Sequence, residues 1–296
     1  MTGPVVVGLD GSPASVTAAW WAAREAVDRH LPVHLLHSWT TQPLDVPVAQ
    51  EAHRKQQYGQ DVLQRTEAEL LHRYGDLTLT TELVRAPASQ ALLEHSETAS
   101  MLVLGSRGLG SVSSFLLGSI SLHVLGLTRC PAVTVRAGDP AVETGWGRSA
   151  VADRSEIVVG VREPGPDADP SLEFAFTAAE LHGTGVRVVR ALPLTTLAAQ
   201  QLALSTGSPD NPYEAEERMR LTAALAPWRR KFPDVPVTEH VAADPAAHVL
   251  LSAAAHSQLA VVGRRRHLSH LTWKLGPVAH AALHHIPCPV AVVPHD

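Results

Sequence analysis

A glycine-rich stretch at residues 105–121, GSRGLGSVSSFLLGSIS, carries the residue types best suited to binding an anion. Its glycines at 105, 108, 110 and 118 let a ligand approach the main chain, because no Cβ stands in the way. Successive backbone N–H groups that turn inward form a nest for negative charge. The polar side chains that could assist are Ser106, Arg107, Ser111 and Ser119. We therefore predict that this stretch binds phosphate, with further amides supplied by a helix that begins after Gly118.

A second turn with distinctive chemistry, Asp10-Gly11-Ser12, follows the apolar run VVVGL at residues 5–9. A carboxylate repels phosphate, but it accepts hydrogen bonds from the hydroxyl groups of a ribose. The carboxyl ends of neighbouring parallel strands line one crevice where the strand order reverses. If the two turns meet there, one holds polyphosphate and the other holds ribose, which together describe a nucleotide.

The elements that would position these turns alternate along the chain. Almost continuously apolar runs are separated by segments with apolar residues at helical spacing, which predicts an α/β fold with a parallel sheet covered on both faces. In the first half the predicted strands are 4–9, 32–39, 78–84, 100–105 and 131–136. In the second half they are 156–161, 186–192, 235–241, 258–263 and 288–293.

The two halves repeat each other, and a chain of 296 residues favours two domains over one. The matching pairs are VVVGLD at 5–10 with IVVGVR at 157–162, MLVLGSR at 101–107 with LAVVGRR at 259–265, and RCPAVTV at 129–135 with PCPVAVV at 287–293. Residues 138–153 are rich in Gly, Ala and polar residues and lack an apolar period, as is typical of a linker. We predict domains at 1–137 and 154–296.

The glycine spacing Gly105-x2-Gly108-x9-Gly118-Ser119 resembles the G-x2-G-x9-G-[S/T] signature of the ATP-binding branch of the universal stress protein family. With the turn at Asp10 and the final strand in register, the resemblance covers nearly the whole chain as a tandem pair. It implies two doubly wound α/β domains, each with a five-stranded parallel sheet in the order 3-2-1-4-5 covered by helices. That order sets the first and fourth strands side by side.

Carried over by position, the resemblance implies a nucleotide site in the first domain. Adenosine contacts are expected from Gly8, Leu9 and Asp10, with Ser38 beside adenine. Phosphate contacts are expected from Leu104, Gly105, Ser106, Arg107, Gly108, Leu109, Gly110 and Ser111, and from Gly118, Ser119 and Ile120. The family more often has valine where Ser38 stands, a change that weakens apolar packing against the base.

The second copy departs from this pattern. Arg162 stands where the first copy has Asp10, and the glycine signature reads Gly263-x2-Arg266-x9-Gly276-Pro277. Proline removes one N–H group from the start of a helix. We predict that the second domain binds ATP poorly or not at all. A solvated loop is the simpler interpretation of the arginines at 264–266, although they could hold an anion.

Composition and motifs narrow the function further. A net charge of −5 gives no reason to expect nucleic-acid binding, and no apolar window is long enough to predict a membrane span or a leader, so a cytoplasmic location is expected. The P-loop G-x4-G-K-[ST] is missing, and no general base stands near the phosphates apart from Asp10. We predict ATP binding with a regulatory role and at most slow hydrolysis. Magnesium is left open.

Two rival classes stay open: a weak ATPase or adenylyl-type transferase, and an interaction module that binds no nucleotide. In the family the last strands of two domains often pair as antiparallel edges. The resemblance therefore implies that 131–136 and 288–293 form an internal pseudo-dimer, which could pair again as a homodimer.

Histidine and cysteine give weaker signals. His280 and His284 could share a helical face, as metal ligands do, but no carboxylate or cysteine has supporting spacing, and we expect no metal site. Cys130 and Cys288 each precede a proline at equivalent positions of the repeats, which indicates packing rather than redox chemistry.

Overall fold

The computed structural model of the protein describes residues 3–39, 49–106, 118–139, 142, 155–165, 168–192, 212–266 and 275–296. Within them the chain divides into two compact units. The first contains the described residues up to 142, and the second contains 155–266 and 276–296. Both units alternate strands with helices, as the sequence predicts.

In the first unit, strands and helices follow one another as β1 (Val5–Leu9), α1 (Pro13–Arg29), β2 (Val33–Ser38), α2 (Ala49–Arg73), β3 (Leu79–Val84), α3 (Ala88–His95), β4 (Met101–Ser106), α4 (Ser119–Leu127) and β5 (Ala132–Arg136). All neighbouring strands of this sheet are parallel, in the order β3-β2-β1-β4-β5. Helices α1 and α2 lie on one face and α3 and α4 on the other. The predicted doubly wound fold is confirmed.

The second unit repeats the arrangement with β6 (Glu156–Gly160), α5 (Asp169–His182), β7 (Gly185–Ala191), α6 (Pro212–Lys231), β8 (Val237–Ala242), α7 (Ala246–Ala253), β9 (Ser257–Arg265), α8 (Pro277–His285) and β10 (Val290–His295). Its parallel strands have the order β8-β7-β6-β9-β10, which is the same topology. None of the helices in the described part of the chain is both long and apolar enough to cross a membrane.

Helix α1 shows how local sequence sets up the sheet edge. The Ser12 hydroxyl caps the helix by accepting a hydrogen bond from the Ser15 N–H at 3.3 Å, and Pro13 occupies the first turn. The apolar face buries Trp21, which is 1% exposed. The helix ends at His30, which adopts the left-handed conformation at φ 56°. Ser12 and His30 therefore define the two ends of α1. The buried apolar face, which includes Trp21, determines how the helix is rotated against the sheet.

The start of α1 lies unusually close to β4 at Gly105. A Cβ on this residue would stand 2.5 Å from the Ala14 carbonyl carbon and 2.6 Å from the Ser15 nitrogen. Only glycine lets the helix approach the strand this closely. Packing alone therefore accounts for Gly105, independently of any ligand.

The two cysteines are buried immediately before the last strand of each unit. Burial raises the pKa of the Cys130 thiol, although a hydrogen bond with Thr128 partly offsets the effect. A raised pKa leaves little reactive thiolate. These contacts agree with the packing role predicted from the sequence.

The close approach at Gly105 yields a stability prediction. Gly105→Ala should lower the free energy of unfolding by about 1–3 kcal/mol, because the added methyl meets backbone that cannot swing away. Gly118→Ser is the matched control, since none of the described residues places an atom within 4 Å of a Cβ at Gly118 and its φ is −63°. Its effect should stay within about 0.5 kcal/mol. Chemical denaturation measures both, and equal losses would contradict the packing account.

Candidate functional site

The carboxyl ends of β1 and β4 lie side by side, as the nucleotide hypothesis requires. Gly8 pairs with Leu104 in the parallel ladder, so Asp10 after β1 and Ser106 at the end of β4 leave the same edge of the sheet. At this edge the chain crosses to opposite sides of the central strand, which is the usual position of a ligand crevice in such folds. Two of the predicted binding segments are thus brought together.

Asp10 is exposed within a tight turn that leads into α1. Its Oδ1 accepts a hydrogen bond from the Ser12 N–H at 2.9 Å, and its own N–H donates to Ser15 Oγ at 3.3 Å. Gly11 has a φ of +81°, a conformation that glycine adopts without strain. The turn therefore holds the carboxylate at the rim, in a position from which it could accept hydrogen bonds from hydroxyl groups.

The predicted residues at the end of β4 face mainly inward. Leu104 is 4% exposed, and Ser106 is buried with its Oγ donating to the Val135 carbonyl at 3.3 Å. Gly8 packs beneath the same edge, since a Cβ there would stand 2.9 Å from Leu104 Cδ2. In this arrangement Leu104 and Ser106 would serve a ligand through their main chain, while their side chains stabilise the sheet.

The start of α4 has the opposite character. Gly118, Ser119 and Ile120 are exposed, and no side chain caps the helix. The first amides of any α-helix lack intrahelical partners and carry partial positive charge. Because α4 ends just before β5, its first turn lies on the side of the strand carboxyl ends. This end of α4 therefore offers anion-binding amides, and no described residue crowds a Cβ position at Gly118.

Ser38, predicted to lie beside adenine, ends β2 next to β1. Its hydroxyl donates to the Ala86 carbonyl at the start of the β3–α3 connection. The remaining predicted phosphate residues, Arg107, Gly108, Leu109, Gly110 and Ser111, lie outside the described residues. Their roles stay predictions.

His37 is a site residue that sequence reasoning missed. It lies on β2 opposite Leu9, is 5% exposed, and meets the ring of Tyr58 edge-on with centroids 6.1 Å apart. Burial lowers its pKa from 6.5, although a hydrogen bond to the Leu9 backbone and the charge of Asp10 act in the other direction. The available signal was a histidine inside the apolar run of β2. The structure places a neutral imidazole directly behind the Asp10 turn.

The second unit presents different chemistry at the equivalent edge. Arg162 is exposed in place of the aspartate, and Arg264 is buried at the end of β9. Burial and then the charge of Arg266 lower the pKa of Arg264 to about 10. Helix α8 begins with Pro277 after Gly276, so its first turn has one amide fewer. Arginine thus replaces the carboxylate at the position equivalent to Asp10, while carboxylates stand nearby at Glu163 and at Asp296, which pairs with Arg266 at 3.1 Å.

Comparison with known proteins decides the family. The sequence pattern of the universal stress protein family matches residues 1–136 and again 154–294. The chain belongs to this family. It is a tandem member, because the pattern matches each half separately.

Relatives of the same length support this assignment. Universal stress protein Rv2005c of Mycobacterium tuberculosis (strain ATCC 25618 / H37Rv) is 30% identical over 297 residues, which cover 97% of this chain and 96% of the relative. A universal stress protein of Mycolicibacterium smegmatis (strain ATCC 700084 / mc(2)155) is 28% identical, with 98% and 96% covered. A universal stress protein from Archaeoglobus fulgidus DSM 4304 has a similar fold, with a TM-score of 0.72 at 17% identity over 99% of this chain and 98% of that one.

The buried imidazole of His37 predicts a pH-dependent stability. Its folded pKa lies below the unfolded value of 6.5, so the unfolded state binds the proton first as the pH falls. Stability should therefore be fully present above about pH 6.5 and decline below it. The substitution His37→Gln should make the free energy of unfolding fall less steeply below pH 6.5, by up to about 1.4 kcal/mol per pH unit.

Denaturation at a series of pH values between 8 and 5 measures the slope. His34, whose pKa burial also lowers, contributes in both proteins and leaves a residual decline. Exposed His53 provides the matched control, and His53→Gln should keep the wild-type slope. Parallel curves for wild type and His37→Gln would contradict the assignment.

Proposed function

We propose that the first unit of this universal stress protein binds ATP at the carboxyl ends of β1 and β4. The observation that carries the proposal is the pairing of β1 with β4, which brings the Asp10 turn and the start of the glycine signature to one edge. Asp10 accepts hydrogen bonds from the ribose hydroxyls, and the adenine lies toward the end of β2. The polyphosphate extends over the glycine loop toward the first turn of α4.

The charge distribution supports this orientation. Phosphate placed on Asp10 would meet a carboxylate, whereas phosphate at the first turn of α4 meets amide hydrogens and the positive end of a helix dipole. Such a dipole contributes about 0.3–1 kcal/mol when exposed. Among the described residues, none comes within 4 Å of a Cβ position at Gly118, which supports room for the phosphate oxygens. Magnesium would bind to these phosphate oxygens, as is usual for nucleoside triphosphates.

We propose regulation rather than turnover as the role of this binding. Asp10 is committed to the ribose in this orientation, so it is not placed to activate a water at the γ-phosphate. Occupancy by ATP can shift a conformational or partner-binding equilibrium only if ATP binds one state more tightly. The cytoplasm, where ATP is available, is the location that we predict for this activity.

A pair of substitutions at Asp10 tests the ribose contact. Asp10→Ala should weaken ATP binding by about 10- to 100-fold, since a hydrogen bond to a charged group contributes about 1.5–3 kcal/mol. Asp10→Asn retains an acceptor for the Ser12 N–H and should lose less. Arg162→Ala is the control at the equivalent position of the second unit and should bind like wild type. Isothermal titration calorimetry with ATP and magnesium measures all four proteins.

The same titration counts the sites. We expect one ATP per chain, because the second unit has arginine for the carboxylate and proline at the start of its last helix. Mass spectrometry of the purified, denatured protein should also detect adenosine nucleotide carried through purification. The absence of binding at saturating ATP would refute the proposal and favour an interaction module. Binding of two ATP molecules per chain would refute the prediction that the second unit binds no ATP. Steady-state hydrolysis of ATP well above about one turnover per minute would refute the non-catalytic role.

A further inference from the structure

Three side chains with metal-binding atoms converge on the face of the first unit that α3 covers. They are His34 on β2, Glu82 on β3 and His95 at the end of α3. Glu82 Oε2 lies 3.1 Å from His34 Nε2 and 3.0 Å from His95 Nε2. The two imidazole rings stack with centroids 5.1 Å apart and an interplanar angle of 14°. One potential ligand atom from each residue thus lies within 4.8 Å of the other two.

Tertiary structure alone brings these residues together. Parallel pairing aligns His34 with Thr80 and Leu36 with Glu82, so His34 and Glu82 project from the same side of adjacent strands. Helix α3 then carries His95 across this side. The sequence separations follow no metal-binding motif, and for this reason the cluster escapes sequence analysis.

The outer nitrogen of each imidazole is held by a hydrogen bond. His95 Nδ1 lies 2.8 Å from the Ala91 carbonyl oxygen, which can only accept, so Nδ1 carries the hydrogen. His34 Nδ1 lies 2.9 Å from Thr80 Oγ1, and that hydroxyl donates to the Val33 carbonyl at 3.5 Å. Thr80 Oγ1 accepts from His34 Nδ1 in one tautomer of the ring and donates to it in the other. The neutral His95 ring therefore directs an Nε2 lone pair at Glu82, and the neutral His34 ring does the same in the tautomer whose Nδ1 donates to Thr80.

An imidazole lone pair that faces a carboxylate oxygen is repelled by that oxygen unless a proton or a metal ion lies between the two atoms. A proton on each ring would satisfy the two contacts separately, whereas one metal ion would satisfy all three donors at once. Outer hydrogen bonds to a carbonyl or hydroxyl are the usual means by which proteins orient histidine ligands. The arrangement at Ala91 and Thr80 therefore has the form of an oriented ligand set rather than a solvated surface pair.

We propose that His34, Glu82 and His95 bind a zinc ion. Two imidazole nitrogens and one carboxylate oxygen form a donor set that zinc accepts, with water as the fourth ligand. Zinc–ligand distances of about 2.0–2.1 Å imply ligand–ligand edges of about 3.3 Å in a tetrahedron. The two separations from Glu82, 3.0 and 3.1 Å, need to widen by only a few tenths of an ångström. The third edge, between the two histidine nitrogens, is at most 4.8 Å and must also reach about 3.3 Å, which requires the rings to turn. Glu82, with a side chain 45% exposed, leaves access for the ion and its water.

This site is separate from the proposed nucleotide site. His34 lies four residues before Ser38 on β2, which places it about 13 Å from the strand end at a rise of 3.3 Å per residue. Imidazole ligands also suit zinc and disfavour magnesium, which prefers oxygen. The ion would join β2, β3 and α3, and it would stabilise this edge of the sheet by binding the folded state alone.

The other histidine cluster does not offer the same set. His280 and His284 on α8 have ring centroids 4.4 Å apart, as their spacing predicts. In the part of the chain that the structure describes, no third histidine, cysteine or carboxylate joins them within ligand distance. His280 is therefore a matched control for removal of a histidine with a histidine neighbour.

The test uses the full-length protein, stripped of metal with a chelator and titrated with zinc chloride by calorimetry in the absence of nucleotide. Wild type should bind one zinc with saturation and melt at a higher temperature when loaded. Glu82→Gln and His95→Gln should each lose more than about 100-fold in zinc affinity, and Thr80→Val, which disturbs only the orientation of His34, about 10- to 100-fold. His280→Gln and His53→Gln should keep the wild-type affinity.

Circular dichroism and metal-free melting verify that the variants fold, since the three ligands are at least partly exposed. Cobalt(II) substitution adds an independent readout, because a tetrahedral site with nitrogen and oxygen ligands gives visible absorption that Glu82→Gln should abolish. ATP affinity should be the same in Glu82→Gln and wild type, so failure of one proposal leaves the other intact. Absence of saturable zinc binding, or a folded Glu82→Gln or His95→Gln with wild-type affinity, would overturn the inference.

Discussion

The parallel pairing of β1 with β4 is the constraint on which the rest of this structure depends. Because the strands run in the same direction with Gly8 opposite Leu104, the loops that follow them must leave from one edge. The helices that return the chain to the other edge lie on opposite faces, α1 on one and α4 on the other. The parallel pairing of β1 and β4 therefore places the candidate site between the chain segments that follow these two strands.

Glycine serves two different physical demands along this edge. At Gly105 a side chain would collide with the backbone of α1, so the residue sets the distance between helix and strand. Gly118 is exposed, and no described residue lies within 4 Å of a Cβ there, so packing within the described part of the unit does not require glycine. In the glycine signature, Gly105 is thus required for packing, whereas Gly118 is accessible to a ligand. A motif read as purely ligand-binding therefore overstates what the first glycine indicates.

The two units have the same strand order but different residues at the carboxyl ends of their strands. The strand order is the same in both, and Gly263 repeats Gly105 at the end of the fourth strand. The rim differs: an exposed aspartate in the first unit is replaced by an exposed arginine in the second, and a proline begins the last helix. The buried strands carry mostly apolar side chains because both faces are covered, and the polar exceptions such as His37 and Ser106 are few. Rim residues lack that limit, so the repeats diverge there.

Sequence alone determined the strand positions, the repeat, the α/β class and the chemical character of the Asp10 turn. These features depend on local periodicity and on residue chemistry, which are readable along the chain. Tertiary structure decided which side chains are available. It turned Leu104 and Ser106 inward, buried His37 behind the Asp10 turn, and brought His34, Glu82 and His95 together. Strand register and helix placement set those contacts between residues far apart in the chain, and no spacing in the sequence records them.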